Sequence, residues 1–202
     1  MPRSSSFCGV ILAAGESTRM GRDKALLPWP PGATGGESFL SAAIRSLDPF
    51  TEMVIVVVGA NESDLAPVIY ARGAFLVRNP HPDLGQFSSL RVGLQEVLNR
   101  GRDAAIITLV DRPPASVTTL QTLTAAFASS TDETWAVVPE FQGKHGHPYL
   151  VSREMIEAFL KAPVTGNARE VEHQNQQHIR YVTVDDPAVT LNVNTPEDYA
   201  AL

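Results

Sequence analysis

Arg19 and Lys24 stand five residues apart in a polar loop that follows three tiny residues, Ala13, Ala14 and Gly15. The loop is entered from a short apolar run, Val10, Ile11 and Leu12. An apolar strand that ends without bulky side chains lets a ligand approach the backbone closely, with N–H groups available to anionic oxygens. Two cations just beyond it can grip a polyphosphate. Residues 9–24, with Leu12, Ala13, Ala14, Gly15, Ser17, Arg19 and Lys24 as the contacting set, therefore read as a nucleotide site. The glycine spacing rules out two other phosphate motifs. A P-loop needs four residues between its glycines and then Lys-Ser/Thr, whereas five separate Gly15 from Gly21 and Arg22 follows. A dinucleotide fingerprint needs three glycines at the turn, and only Gly15 is present there.

Asp111 closes a second apolar run, Ile106-Ile107-Thr108-Leu109-Val110, and precedes Arg112-Pro113-Pro114. A carboxylate at the exposed end of a central strand is well placed to hold Mg²⁺, a hard cation that takes oxygen ligands and substrate phosphates; a turn aspartate ahead of the helix starting at Ser116 is the plainer alternative. Asn192 and Asn194 lie just before Thr195-Pro196-Glu197-Asp198. Thr as N-cap, Pro at the first helical position and acids in the first turn explain that tetrapeptide as a helix start, but not the asparagines. In residues 79–94, Gly85 leads to Ser88 and Ser89 near the start of an amphipathic helix. Those serines either cap the helix or offer hydroxyls to a base. Gly93 inside that helix costs about 1 kcal/mol against alanine, which points to close packing against the first loop.

The elements that position these residues alternate. Strands are expected at 7–12, 53–58, 74–77, 104–110, 135–138 and 179–184, and helices at 38–47, 62–71, 88–99, 116–128, 153–160 and 196–202. Several strands are continuously apolar, as expected when both faces are covered. The alternation predicts an α/β domain with a mostly parallel sheet and helices on both sides. Ligands of such sheets bind beyond the carboxyl ends of the strands, which puts the loops after Leu12, Val77 and Val110 on one rim. Residues 30–37, Pro-Pro-Gly-Ala-Thr-Gly-Gly-Glu, form the most irregular stretch and read as a mobile loop near the nucleotide.

A chain of 202 residues suits one domain, 1–202. A formal charge of −6 argues against nucleic acid as a partner, and no apolar run approaches the length of a membrane span. The one cysteine, Cys8, begins the first strand as a small buried hydrophobe and fits a reducing, cytoplasmic setting.

The stretch Leu-Ala-Ala-Gly-x-Ser-x-Arg-Met-Gly-x-x-Lys resembles the signature of the molybdenum-cofactor cytidylyl- and guanylyltransferases, a nucleotidyltransferase family. That resemblance implies a single Rossmann-like three-layer domain of the nucleotide-diphospho-sugar transferase type. Leu-x-Asp-x-Pro around Asp111 resembles the family's metal motif, and Asn-x-Asn before Thr-Pro its second metal segment. Mg²⁺ on Asp111 and Asn194 is implied. Asn-Pro…Gly-x-x-x-Ser-Leu-x-x-Gly-Leu at 79–94 resembles the family's nucleotide segment, with Gly85, Ser88 and Ser89. Gly-His-Pro at 146–148 and Gly-Asn-Ala-Arg at 166–169 resemble acceptor-side segments, which implies His147 and Arg169 there. The implied reaction moves a nucleoside monophosphate from an NTP to a phosphate-bearing acceptor, with Lys24, Arg19 and Asp111 catalytic. Leu-Ala-Ala-Gly and Gly-His-Pro look like the CTP-using members, with molybdopterin cofactor as acceptor and a molybdoenzyme or chaperone as recipient; Asn-x-Asn looks like the GTP-using ones. The chain departs from the family in its longer 30–37 connection and in the extra residue after Gly166. A sugar-phosphate nucleotidyltransferase and a non-catalytic nucleotide-binding or delivery protein are the alternatives.

Overall fold

The structure, a computed structural model, describes residues 6–15, 23–34 and 36–202. Its strands are β1 (Cys8–Leu12), β2 (Pro28–Trp29), β3 (Glu37–Ser38), β4 (Met53–Val58), β5 (Phe75–Arg78), β6 (Ala104–Leu109), β7 (Ala136–Phe141), β8 (Lys144–His145), β9 (Tyr149–Ser152) and β10 (Ile179–Thr183). The helices are α1 (Phe39–Leu47), α2 (Glu62–Ala71), α3 (Gln86–Asn99), α4 (Val117–Ala128), α5 (Arg153–Lys161), α6 (Ala168–Gln174) and α7 (Pro196–Ala200).

The main sheet runs β10-β7-β9-β6-β1-β4-β5, with β8 added to β7. β1 pairs in parallel with β4 and β6, β4 with β5, and β7 with β10. β9 is antiparallel to both of its neighbours, β6 and β7. The continuous apolar runs are explained by two-sided burial. Ile11, Val54, Val56 and Ile106 face a core closed by α1, α2 and α4. Val10, Leu12, Ile55 and Ile107 face a second core closed by α3, α5 and α6. Because side chains alternate along a strand, each central strand contributes to both cores and can carry no polar face.

Several features differ from the sequence expectations. β9 and α6 were not anticipated. Tyr149–Ser152 is only four residues long, and Ala168–Gln174 is a mostly polar heptapeptide that buries Val171 alone, so neither shows a periodic pattern. Helix α3 starts at Gln86, with Gly85 at the N-cap position, two residues before the expected 88. Gly93 packs on strands rather than on the first loop: a Cβ there would stand 2.7 Å from Val10 Cγ1 and 2.9 Å from Val57 Cγ2. At the far end of the 30–37 stretch the Glu37 carboxylate accepts Arg45 Nη2 at 2.7 Å and Arg72 Nη2 at 2.7 Å.

Candidate active site

The carboxyl ends of β1, β4 and β6 open on one rim, and the loops there are tied together by backbone and amide groups. Ala13 N–H donates to the Val57 carbonyl at 2.8 Å, and Val110 N–H to that of Leu12 at 3.0 Å. Ala14 and Gly15 follow as the chain leaves the sheet, and Gly15 has open space where a Cβ would stand. Asn61 holds the loop ends in place. Its Nδ2 donates to the Ala13 carbonyl at 2.9 Å and to Asp23 Oδ2 at 2.6 Å, while its Oδ1 accepts the Gly59 N–H at 3.1 Å. Asp23 in turn accepts from Ala25 N–H at 2.9 Å and so caps the short 3₁₀ turn Lys24–Leu26. The loop residue Lys24 is thus set by a turn anchored on both β1 and β4. Ser17 and Arg19 lie outside the described residues.

Lys24 Nζ donates to Asn194 Oδ1 at 3.0 Å and stands 3.9 Å from Asp111 Oδ2. The lysine side chain is 11 % exposed and the aspartate 29 %. Asn194 is delivered by two local devices. Val193 N–H donates to the Asp111 carbonyl at 2.8 Å, which binds the C-terminal segment to the end of β6. Next, Thr195 and Asp198 form a reciprocal capping box, and Asp198 Oδ2 accepts from the N–H groups of Asn194 and Thr195 at 2.8 and 2.9 Å. Those backbone bonds hold the Asp198 carboxyl below the usual carboxylate range. Asp111 Oδ1 is buried with no hydrogen-bond partner among the described residues. An orphaned carboxylate oxygen beside an amide oxygen is a hard-oxygen donor pair of the kind that Mg²⁺ accepts when phosphates and water complete its shell.

Lys24, Asp111, Ala14, Gly15, Gly85 and Ser89 line one cleft of about 240 Å³. Ser88 is turned away from it. Its hydroxyl donates to the carbonyls of Gly85 and His81 at 2.7 and 3.1 Å, and it accepts Asn79 Nδ2 at 2.8 Å. The hydroxyl therefore ties the turn before α3 to the helix instead of facing the cleft. Asn79, 2 % exposed, also donates to Ser89 Oγ at 2.9 Å. Leu12 lines the cleft and Ala13 is buried in the first core.

A second cavity of about 840 Å³ shares Leu12, Gly85, Gln86 and Leu109 with the first and continues to His147, Tyr149 and Arg169. His147 is held by its N–H to the Val189 carbonyl at 2.9 Å. Gly146 fits under that carbonyl, which would lie 2.1 Å from an added Cβ. Burial, with the Arg112 charge as a smaller cause, pushes the His147 imidazole down to about 3. It is neutral at physiological pH and presents the cavity with a neutral ring rather than a cation. Arg112 lines this cavity beside Asp111 and donates through Nη1 to the Leu191 carbonyl at 3.0 Å.

Sequence reasoning did not single out Asn61 or Glu172, gave Arg112 no role, and read Asn79 only as part of the 79–94 segment. Asn61 and Asn79 each follow an apolar run directly or within three residues, and a polar amide at a strand's carboxyl end was the available signal. Arg112 was visible beside Asp111. Glu172 gave none, because α6 was not anticipated.

Fold and cleft together define a nucleotidyltransferase of the α/β class. Residues 9–179 match the MobA-like NTP transferase domain, and the chain belongs to that family. A probable molybdenum cofactor guanylyltransferase of Rhodopirellula baltica is 32 % identical over 195 residues, covering 94 % of this chain and 88 % of the relative. The molybdenum cofactor cytidylyltransferase of Escherichia coli is 25 % identical over 192 residues, covering 94 % and 92 %. A solved nucleotidyl transferase from Methanothermobacter thermautotroptrophicus superposes with a TM-score of 0.80 at 20 % identity, covering 98 % of this chain and 96 % of that one, and so shares the fold. Among the described residues no helix is long and apolar enough to cross a membrane.

Proposed function

We propose that the chain transfers a nucleoside monophosphate from an NTP to a phosphate group of molybdopterin cofactor and releases pyrophosphate. The observation that carries this reading is the meeting of Lys24, Asp111 and Asn194 at one cleft with the Ala14 and Gly15 backbone. An acceptor phosphate oxygen attacks the α-phosphorus in line; the bond from the α-phosphorus to the β-bridging oxygen breaks, and pyrophosphate leaves with that electron pair. Such chemistry depends on positioning and charge stabilisation more than on a strong base. Lys24 stabilises charge at the α-phosphate, and Arg19 with the Ala14 and Gly15 N–H groups holds the leaving phosphates. Asp111 and Asn194 would hold Mg²⁺ through their side-chain oxygens, and the bound ion would supply neutralisation of phosphate charge. The second cavity, with His147 and Arg169, takes the acceptor.

Ala13-Ala14-Gly15 and Gly146-His147-Pro148 support CTP as the donor. A second reading, GTP, is favoured by Asn192-Val193-Asn194 and by the guanylyltransferase name of the 32 % identical relative. Pyrophosphate release from CTP and GTP in direct competition, with molybdopterin cofactor and Mg²⁺, tests both. Release confined to CTP supports the first reading and release confined to GTP the second. Binding of nucleotide without release from either moves the assignment to a non-catalytic delivery protein.

A further inference from the structure

The second cavity has a polar floor with no internal partners. Glu172, on the inner side of α6, lines it together with Tyr149 and His147. Neither the Glu172 carboxyl nor the Tyr149 hydroxyl makes a side-chain hydrogen bond or ion pair among the described residues, and His147 Nδ1 is buried without a partner. A polar atom withdrawn from water without a partner, as His147 Nδ1 is, destabilises a fold. The Glu172 carboxyl is only half-buried and open to the cavity, so this wall suits a bound molecule better than an empty cavity. Leu12, Phe87, Leu90 and Ile107 supply apolar walls, and Arg112, Lys144 and Arg169 place positive charge on the same cavity. The cations disfavour a positively charged ligand, whereas the carboxyl disfavours one that is anionic throughout. What suits both is a flat, uncharged ring with an N–H-rich edge, carrying a phosphate that reaches the cations.

We propose that Glu172 reads the heterocycle of the acceptor, its carboxylate accepting two hydrogen bonds from an N–C–N donor edge such as that of a 2-amino-4-oxopteridine. This rests on the reading of the second cavity as the acceptor site. The geometry required is that of a bidentate carboxylate pair, in which two parallel N–H groups meet two oxygens. Tyr149 and His147 line the same cavity with a hydroxyl and a neutral ring nitrogen. Burial raises the Glu172 carboxyl to about 7, with Arg169 offsetting only part of that rise. The other titratable groups around it are Tyr149 on β9 and Tyr181 on β10, both pushed up by burial and by the Glu172 charge, with Lys144, His145 and His147 on the cavity wall. A ligand that needs the carboxylate form binds less tightly as pH falls below about 7.

The test is a fluorescence titration of the whole protein with a phosphate ester of a 2-amino-4-oxopteridine, and with the same ester lacking the 2-amino group. Glu172→Gln keeps the size of the side chain but replaces one acceptor oxygen by a donor. Hydrogen bonds to a charged group are worth about 10- to 100-fold in affinity. The expected result is a loss of that size for Glu172→Gln, a comparable loss for the deamino ester on wild type, and disappearance of the wild-type gain in affinity between pH 6 and pH 8. CTP and GTP titrations keep their midpoints within twofold in the variant, which separates ring recognition from misfolding. Equal binding of both esters, or a variant that binds like wild type, overturns the proposal. Ring discrimination in a protein that releases no pyrophosphate overturns the transferase reading and leaves this one standing.

Discussion

Lys24 Nζ donates to the amide oxygen of Asn194 at 3.0 Å, joining residues 170 positions apart in the chain. The contact holds the Lys24 side chain from the C-terminal segment, while the anchored turn Lys24–Leu26 holds its backbone. It also means that the Asn194 oxygen is shared between a lysine and the proposed metal position. The part of the Asn194 effect that runs through Lys24 is contained within the loss of Lys24. Lys24→Ala is expected to lower turnover by about 10²–10³, the usual size for a preorganised electrostatic contact, and Asn194→Ala by roughly tenfold. The double variant is then expected to lose more than Lys24→Ala alone but less than the two losses combined, as coupled sites do not add. Steady-state kinetics on the four proteins check this. Fully additive losses would show that Asn194 acts independently of the lysine.

The Asp111 carboxylate faces Lys24 in the cleft, and its Oδ1 is buried without a partner among the described residues. Asp111→Asn keeps the shape and removes the charge that a hard cation needs. The expected outcome is a drop in turnover of about 10²–10³ and a higher Mg²⁺ concentration for half-maximal rate. The melting temperature should stay within a few degrees of wild type, because the buried oxygen loses no bond. An unchanged Mg²⁺ titration would remove Asp111 from the metal site.

Gly93 sits where α3 presses on β1 and β4. A methyl group there meets Val10 Cγ1 at 2.7 Å and Val57 Cγ2 at 2.9 Å, and both valines are stiff at their single side-chain torsion. Overpacking of this kind costs about 1–3 kcal/mol, against about 1 kcal/mol gained in helix propensity. Gly93→Ala is therefore expected to lower the melting temperature by a few degrees, as read by thermal denaturation. Combining it with Val57→Ala should bring less loss than the two changes added, because the removed methyl makes room for the new one.

The parts of the fold that were legible in the sequence are those with strong patterns. The apolar runs of β1, β4 and β6 are continuous because α-helices cover both faces, and small residues followed by Lys24 marked the loop that leaves the sheet. The Thr195 capping box was legible because its residues act on each other locally. What escaped is set by distant contacts. β9 runs antiparallel between β6 and β7, and nothing in Tyr149-Leu150-Val151-Ser152 announces that direction. Ser88 lies in a serine pair near a helix start, yet Asn79 and two carbonyls turn its hydroxyl inward. Trp135 packs against the second core and also stacks flat on the distant His178, with ring centroids 3.9 Å apart. Asn61 joins Ala13, Asp23 and Gly59, partners that its place beyond the end of β4 does not specify.

Glu172 and His147 give stability a pH dependence in which two slopes oppose each other. Burial raises the Glu172 carboxyl from 4.5 to about 7, so the folded chain holds a proton there that the unfolded chain has lost. Burial lowers the His147 imidazole from 6.5 to about 3, so the unfolded chain holds a proton there that the folded chain refuses. The slope of stability with pH follows the protons bound unfolded minus those bound folded. Between about pH 4.5 and 6.5 the two residues each contribute one proton to opposite sides, and their effects cancel. Glu172→Gln removes one side of that balance. Relative to wild type the variant gains little near pH 4.5, where the carboxyl is protonated in both states. It gains progressively as pH rises, reaching its full advantage above about pH 7, where the folded wild type carries a half-buried carboxylate without a partner. Melting temperatures at pH 4.5, 6 and 8 check this, with the gain expected to grow along the series to several degrees. An equal difference at all three would mean that the carboxylate is solvated in the cavity, and the cost of burying it would then not explain why the variant is more stable.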